Sequence, residues 1–112
     1  MKAGELDRRI TLLRAAMVKN ALNELVPHWS PLATVFAKYM PLSDGERIRA
    51  QQVGAYATAR FLVRWSTLTA GLTAKDRLVF AGQVFEISGQ KEIGRKVGIE
   101  LTCAALVDGA GG

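Results

Sequence analysis

The sequence predicts a mainly β protein, a small antiparallel β-barrel or sandwich-like domain with one short helix in an inserted loop. Three observations predict it. Apolar and polar residues alternate through most of the chain, which is the period-two pattern of strands with one face turned inward. Short alternating runs meet at glycine turns such as Ala81-Gly82, where glycine tolerates the positive φ of a tight hairpin. Proper helix-start signals occur only at Ser43-Asp44-Gly45-Glu46, a capping-box spacing in which each outer side chain can satisfy a free backbone N–H of the other.

The elements follow in order. A first strand is predicted around Arg9 to Arg14, with Ile10 and Leu12 on one face and Thr11 and Leu13 on the other. Ala15 to Val26 reads two ways. Met17, Val18, Ala21, Leu22 and Leu25 fit a helical stripe of good helix formers, which local propensity favours, whereas Asn20 to Asn23 could turn a strand pair. Pro27 and Pro31 mark an irregular link. A second strand is predicted from Leu32 to Met40, with Val35, Ala37 and Tyr39 facing one way and Thr34, Phe36 and Lys38 the other.

The capping box then starts a helix from about Asp44 to Val53, stopped by Gly54. Arg60 to Trp65 is the clearest strand, with Phe61, Val63 and Trp65 on its core face. Arg77 to Phe80 and Gln83 to Ile87 predict a hairpin, and Val97, Ile99, Leu101 and Cys103 one face of a last strand ending near Val107. Residues 108–112, Asp-Gly-Ala-Gly-Gly, have too little to bury and are expected to fray.

With 112 residues, the chain reads as one domain over 1–107. Hydrophobic residues at 49% and charged residues at 22% give the balance of a globular protein. The core is thin, since a chain of this size hides only roughly 65% of its unfolded surface. No apolar run approaches the roughly 20 residues of a bilayer-spanning helix, and the start Met1-Lys2-Ala3-Gly4-Glu5 leads to no apolar signal core. The expectation is a protein made in a cytoplasm and held on no membrane.

Candidate chemistry is sparse. His28, the single histidine, has no second histidine, cysteine or carboxylate beside it to complete a metal set. Cys103 reads as a buried inert thiol. Gly89 to Gly98 lacks the spacing and the Lys-Ser/Thr ending of a phosphate loop. Glu86 and Glu100 could face each other as an acid–base pair, although exposed strand carboxylates balanced by Arg or Lys are the commoner case. Asp76 reads as a turn residue bonding backbone N–H groups. No catalytic residue, cofactor site or metal site is assigned, and an enzyme is not expected.

The net charge of +5 invites a nucleic-acid reading. The fifteen basic residues are nevertheless spread from Lys2 to Lys96 in short clusters, and contact with acidic protein neighbours is the preferred account. A base-stacking module would need exposed aromatics beside those cations, for which Trp29, Tyr39 and Tyr56 are the candidates.

Several phrases, read together, resemble the phage head-tail joining family, also called head-closure or stopper proteins, with prophage and gene transfer agent members. They are Gly4-Glu5-Leu6-Asp7-Arg8-Arg9-Ile10-Thr11-Leu12, Trp29, Leu32 to Ala37, Pro41-Leu42-Ser43 with Glu46, Arg60 to Trp65, Leu72, Lys75 to Phe80, Gly82 and Phe85-Glu86-Ile87. The resemblance spans nearly the whole chain. It departs at Ala15 to Val26, where relatives carry a glycine-containing hairpin.

What the resemblance implies is a structural subunit of the virion neck. It would assemble as a homo-oligomeric ring, a hexamer or dodecamer, below the portal and adaptor and above a tail terminator or tail tube. Such a ring helps to retain the genome, whose DNA passes through without sequence-specific binding, and most basic residues would then lie away from the channel. The insertion, about 41–59, corresponds to a loop facing the channel or a neighbouring copy. Its candidate contact residues are Pro41, Leu42, Ser43, Asp44, Gly45, Glu46, Arg47, Ile48, Arg49, Gln51 and Gln52. At the N-terminus, Leu6, Asp7, Arg8 and Arg9 are candidate partner contacts. Two other readings remain, a tail-side terminator or connector and a small nucleic-acid-binding barrel.

Overall fold

The structure is a computed structural model that describes residues 3–52, 54 and 57–106. A 3-10 turn at Ala3–Glu5 leads into β1 (Arg8–Lys19), β2 (Leu25–Pro41), α1 (Asp44–Gln52), β3 (Ala59–Arg64), α2 (Thr67–Ala70), β4 (Arg77–Phe80), β5 (Gln83–Ile93) and β6 (Gly98–Ala105). Neighbouring strands are all antiparallel, and the ladder closes on itself in the order β1-β2-β3-β6-β5-β4. Closure matters because an open sheet would leave two rows of unpaired backbone groups for other chains to pair with.

Alternation fills the interior as the sequence predicts. Ile10 and Leu12 of β1, Phe61 and Val63 of β3, Leu78 of β4, Ile87 of β5 and Ile99, Leu101 and Cys103 of β6 are fully enclosed, with Leu72 closing one end. Phe61 sits at the centre of an aromatic cluster, its ring centroid 5.4 Å from Tyr39, 5.4 Å from Phe80 and 5.3 Å from Phe85. Tyr39 is therefore part of the core packing, and Trp29 is covered by the Arg77 guanidinium 4.2 Å from its ring. Two of the three aromatics a base-stacking surface would need are thus engaged, and Tyr56 lies outside the described residues.

The β4–β5 hairpin turns through Ala81 (φ 52°) and Gly82 (φ 78°), the paired positive φ values of a type I′ turn. Glycine takes that conformation freely, whereas an alanine is strained in it. Replacing Ala81 by asparagine, the residue this turn prefers, is expected to raise stability by about 0.5–1 kcal/mol. An unchanged or lowered urea midpoint would count against strain at this site.

Ala15 to Val26 forms a strand hairpin, which corrects the helix favoured by local propensity. β1 and β2 pair from Arg8↔Ala37 to Lys19↔Leu25, and a long hydrogen-bonded ladder outweighs the few tenths of a kcal/mol per residue that propensity supplies. Asn20 makes the turn. Its Oδ1 accepts from the N–H of Leu22 (2.9 Å) and of Glu24 (3.0 Å), while its own N–H donates to the Glu24 carbonyl (2.9 Å). Pro27 and Pro31 lie inside β2 rather than in an irregular link. Strands tolerate them where the missing N–H faces an open edge, and a register shift beside Pro31 bends the ribbon.

The capping box at Ser43 forms as read. The Glu46 N–H donates to Ser43 Oγ and the Ser43 N–H to Glu46 Oε1, both at 3.2 Å. Gly54 has φ 82° and its N–H bonds the Gln51 carbonyl at 3.0 Å, the left-handed stop expected of a helix C-terminus. Val53 and the tail 108–112 lie outside the described residues. One helix was not anticipated. α2 is capped by Ser66, whose Oγ accepts from the Thr69 N–H (3.0 Å) while Thr69 Oγ1 accepts from the Ser66 N–H (2.9 Å), so threonine completes the box in place of Glu.

Candidate functional site

The β2–β3 insertion is held at its ends and by one tether along its helix. Pro41 closes β2, and the buried Leu42 donates its N–H to the Thr58 carbonyl at 3.1 Å, drawing the two ends of the insertion together. Beyond Ser43, no side chain of α1 is buried. Asp44, Gly45, Arg47, Ile48, Arg49, Gln51 and Gln52 are exposed, Ile48 with 56% of its surface in solvent. The helix is tied to the barrel through Glu46, which accepts from Arg60 of β3 at 2.9 Å. Arg60 in turn stands 3.8 Å from Glu100 of β6. The Arg60 hydrogen bond, followed by the bonds from Ser43, holds the Glu46 carboxyl below the usual carboxylate range.

The candidate N-terminal contacts divide. Asp7, Arg8 and Arg9 are exposed, with Arg8 3.8 Å from Asp7 and the Arg9 guanidinium over the Phe36 ring at 5.8 Å. Leu6 instead is buried and faces inward, lining a cavity of about 380 Å³ with Val35, Phe36, Arg64, Ser66 and Thr69. Phe36 stands at that cavity with 58% of its surface exposed.

A third surface was not picked out from the sequence. β1 pairs with β4 only over Thr11 to Leu13, and β2 with β3 only over Ala37 to Pro41. Arg14 to Lys19 and Leu25 to Ser30 therefore pair only with each other, as a two-stranded arm that reaches about 20 Å past the barrel at the rise of a strand. Met17, Val18, Leu22 and Leu25 on it are exposed. At its base Arg14 grips the buried Asp76 with two hydrogen bonds, Nε to Oδ1 at 3.0 Å and Nη2 to Oδ2 at 3.1 Å. Asp76 also accepts the Thr73 N–H at 2.9 Å. Burial pushes the Asp76 carboxyl up, but the Arg14 bonds, the Thr73 N–H and the guanidinium charge together hold it below its ordinary value. The turn role read for Asp76 is present, and Arg14 is the partner the sequence did not disclose. The signal available was Pro27 and Pro31, spaced so that both missing N–H groups fall on one edge of a strand.

Glu86 and Glu100 are not brought opposite each other. Glu86 faces Ala104 across β5–β6 and lies 3.8 Å from Arg77, whereas Glu100 faces Lys91. They are strand carboxylates balanced by cations. Burial pushes the Cys103 thiol up to about 12, which leaves it protonated and unreactive. Among the described residues no cluster of His, Cys, Asp or Glu could hold a metal ion.

The family described as phage head completion protein matches residues 1–106. The chain belongs to that family. The chain is similar in fold to the solution structure of protein SF1141 from Shigella flexneri 2a, with a TM-score of 0.76 at 23% identity over 96% of this chain and 99% of the other. It is also similar in fold to a chain from the virion of a native gene transfer agent particle, with a TM-score of 0.64 at 21% identity over 91% of this chain and 96% of that one. No curated protein matches the chain. As a phage head completion protein it belongs among the structural proteins of the virion.

Proposed function

We propose that this chain is a head-closure subunit of the neck, assembling as a ring below the portal and adaptor, helping to retain packaged DNA and offering the surface on which a tail docks. The observation that carries this reading is the insertion. A helix with no buried side chain contributes little to folding, yet it is capped at Ser43, tethered through Glu46 and held out from a closed barrel. An element built that way fits a contact role toward the channel or a neighbouring copy. The family supports the same direction, as does the origin of one similar fold in a gene transfer agent virion. A ring multiplies each subunit's modest contacts. Exposed cations such as Arg8, Arg9 and Arg49 suit acidic neighbouring subunits.

Deleting Arg47 to Gly54 tests the reading. The truncated protein is expected to fold with little loss of stability, since none of the described residues removed buries its side chain, while particles made with it accumulate as filled heads that are tailless or leaking under the electron microscope. Normal infectious virions would remove the insertion from the mechanism.

A further inference from the structure

Beyond Leu13 none of the described strands lies beside the outer edge of β1. Pro27 faces Met17 and Pro31 faces Leu13 across the arm, and a proline has no N–H to give, so these are non-hydrogen-bonded pairs of the ladder. By the two-residue alternation of a strand, the N–H and C=O groups of Ala15, Met17 and Lys19 then point away from β2. They lie along the same edge on which Leu13 pairs with Arg77 of β4. Among the described residues none of the three has another backbone partner. The opposite edge of the arm is a poorer template, because Pro27 and Pro31 interrupt its outward N–H groups and leave only those of Leu25 and Trp29.

Beside the open edge runs a groove of about 480 Å³ whose walls include Ala15, Met17, Trp29, Thr73 and Lys75. Met17 is 59% exposed. Lys19 and Lys75 stand at this edge, and among the described residues neither has a carboxylate within ion-pair distance. Asp76, the acidic group nearby, is already held by Arg14.

We propose that the Ala15–Lys19 edge is a strand-addition site that takes an extended segment of a neighbouring virion protein in which apolar residues alternate with carboxylates. The inference rests on the reading that the chain works inside a particle. The open backbone groups supply the pairing, Met17 and Trp29 accept the apolar side chains, and Lys19 and Lys75 select the acidic ones. A second copy of this chain fits less well. Its own arm edge brings Lys19 with no matching carboxylate, and the stretch of β5 past Glu86, which pairs with β6 alone, carries Ser88, Gly89, Gln90 and Lys91 in place of alternating apolar residues.

Met17→Pro is the discriminating variant. It deletes one outward N–H without touching the bonds between β1 and β2, so the isolated protein should melt within a few degrees of wild type. Losing one bond of the ladder should lower the copies retained in purified particles by about tenfold. The double reversal Lys19→Glu with Lys75→Glu should give a comparable loss with the backbone intact. In wild-type particles, amide exchange followed by mass spectrometry should be slowed over Ala15–Lys19 relative to the free protein. Full occupancy and infectivity of Met17→Pro, with that segment exchanging equally fast in both states, would overturn the proposal and leave the head-closure reading standing. A solution dimer of the wild type that Met17→Pro abolishes would assign the edge to a second copy and overturn it as well. Wild-type particles that lack the chain altogether would instead sink the underlying reading, and the proposal with it.

Discussion

Phe61→Ala is expected to destabilise the protein by about 3–5 kcal/mol, a large share of the roughly 5–15 kcal/mol margin of a folded domain. Phe61 is fully buried and touches three other rings, Tyr39, Phe80 and Phe85, contributed by three different strands. Removing it takes away the apolar burial of a large side chain and leaves a cavity that these strands cannot close, because the closed ladder fixes their spacing. Thermal melting followed by near-UV circular dichroism should show a fall of at least about 15 °C, or no cooperative transition. Phe61→Leu should recover much of the loss by refilling the volume. A melting point for Phe61→Ala close to wild type would mean that the barrel interior is not the packed core described above.

The second large effect is expected at the base of the arm. Asp76→Ala removes a buried carboxylate that accepts three hydrogen bonds, two from Arg14 and one from the Thr73 N–H, and should cost about 2–3 kcal/mol. The Arg14 side chain is about half exposed, 48%, so the ion pair itself is partly screened and the hydrogen bonds dominate the loss. Because the folded-state pKa of Asp76 lies below its unfolded value, its contribution is present above the ordinary carboxylate range. It is lost as pH falls through that range toward the folded pKa.

Arg14→Met is expected to weaken that dependence. With the guanidinium gone, burial is opposed only by the bonds from Thr73, so the carboxyl rises relative to the wild type and less stability is gained as pH rises through the carboxylate range. Melting temperatures of the wild type and Arg14→Met measured across that range should therefore diverge with increasing pH. Parallel curves would show that Arg14 does not hold the Asp76 proton equilibrium.

The strand pattern was legible wherever one face of a strand is buried. Phe61 with Val63, and Ile99 with Leu101 and Cys103, alternate with polar neighbours because one barrel face is dry and the other wet. Ser43 to Glu46 was legible because a capping box is local, its donors and acceptors three residues apart. Ser66 to Thr69 was missed although it obeys the same logic, since a threonine in place of Glu or Gln weakens the signal.

The arm was ambiguous for a physical reason. Met17, Val18, Leu22 and Leu25 are exposed, so no core imposes a period of two on them, and local propensity alone points to a helix. The candidate contact residues of α1 came from the family resemblance, on the stretch where the strand pattern stops, and the structure sets nearly all of them in solvent. Leu6, grouped with Asp7, Arg8 and Arg9 as a candidate N-terminal contact, turns inward to a cavity instead.

By itself the sequence determined the mainly β class, the inward faces of the strands, the Ala81-Gly82 hairpin and the capped helix of the insertion. Each of these is written in contacts between residues a few positions apart or in a repeat of two. Only the tertiary structure decided the closure of the ladder, the projection of the arm and the grip of Arg14 on Asp76 across 62 positions of chain. Those depend on which distant segments meet, and loop closure between distant segments leaves no periodic mark on the amino acids that take part.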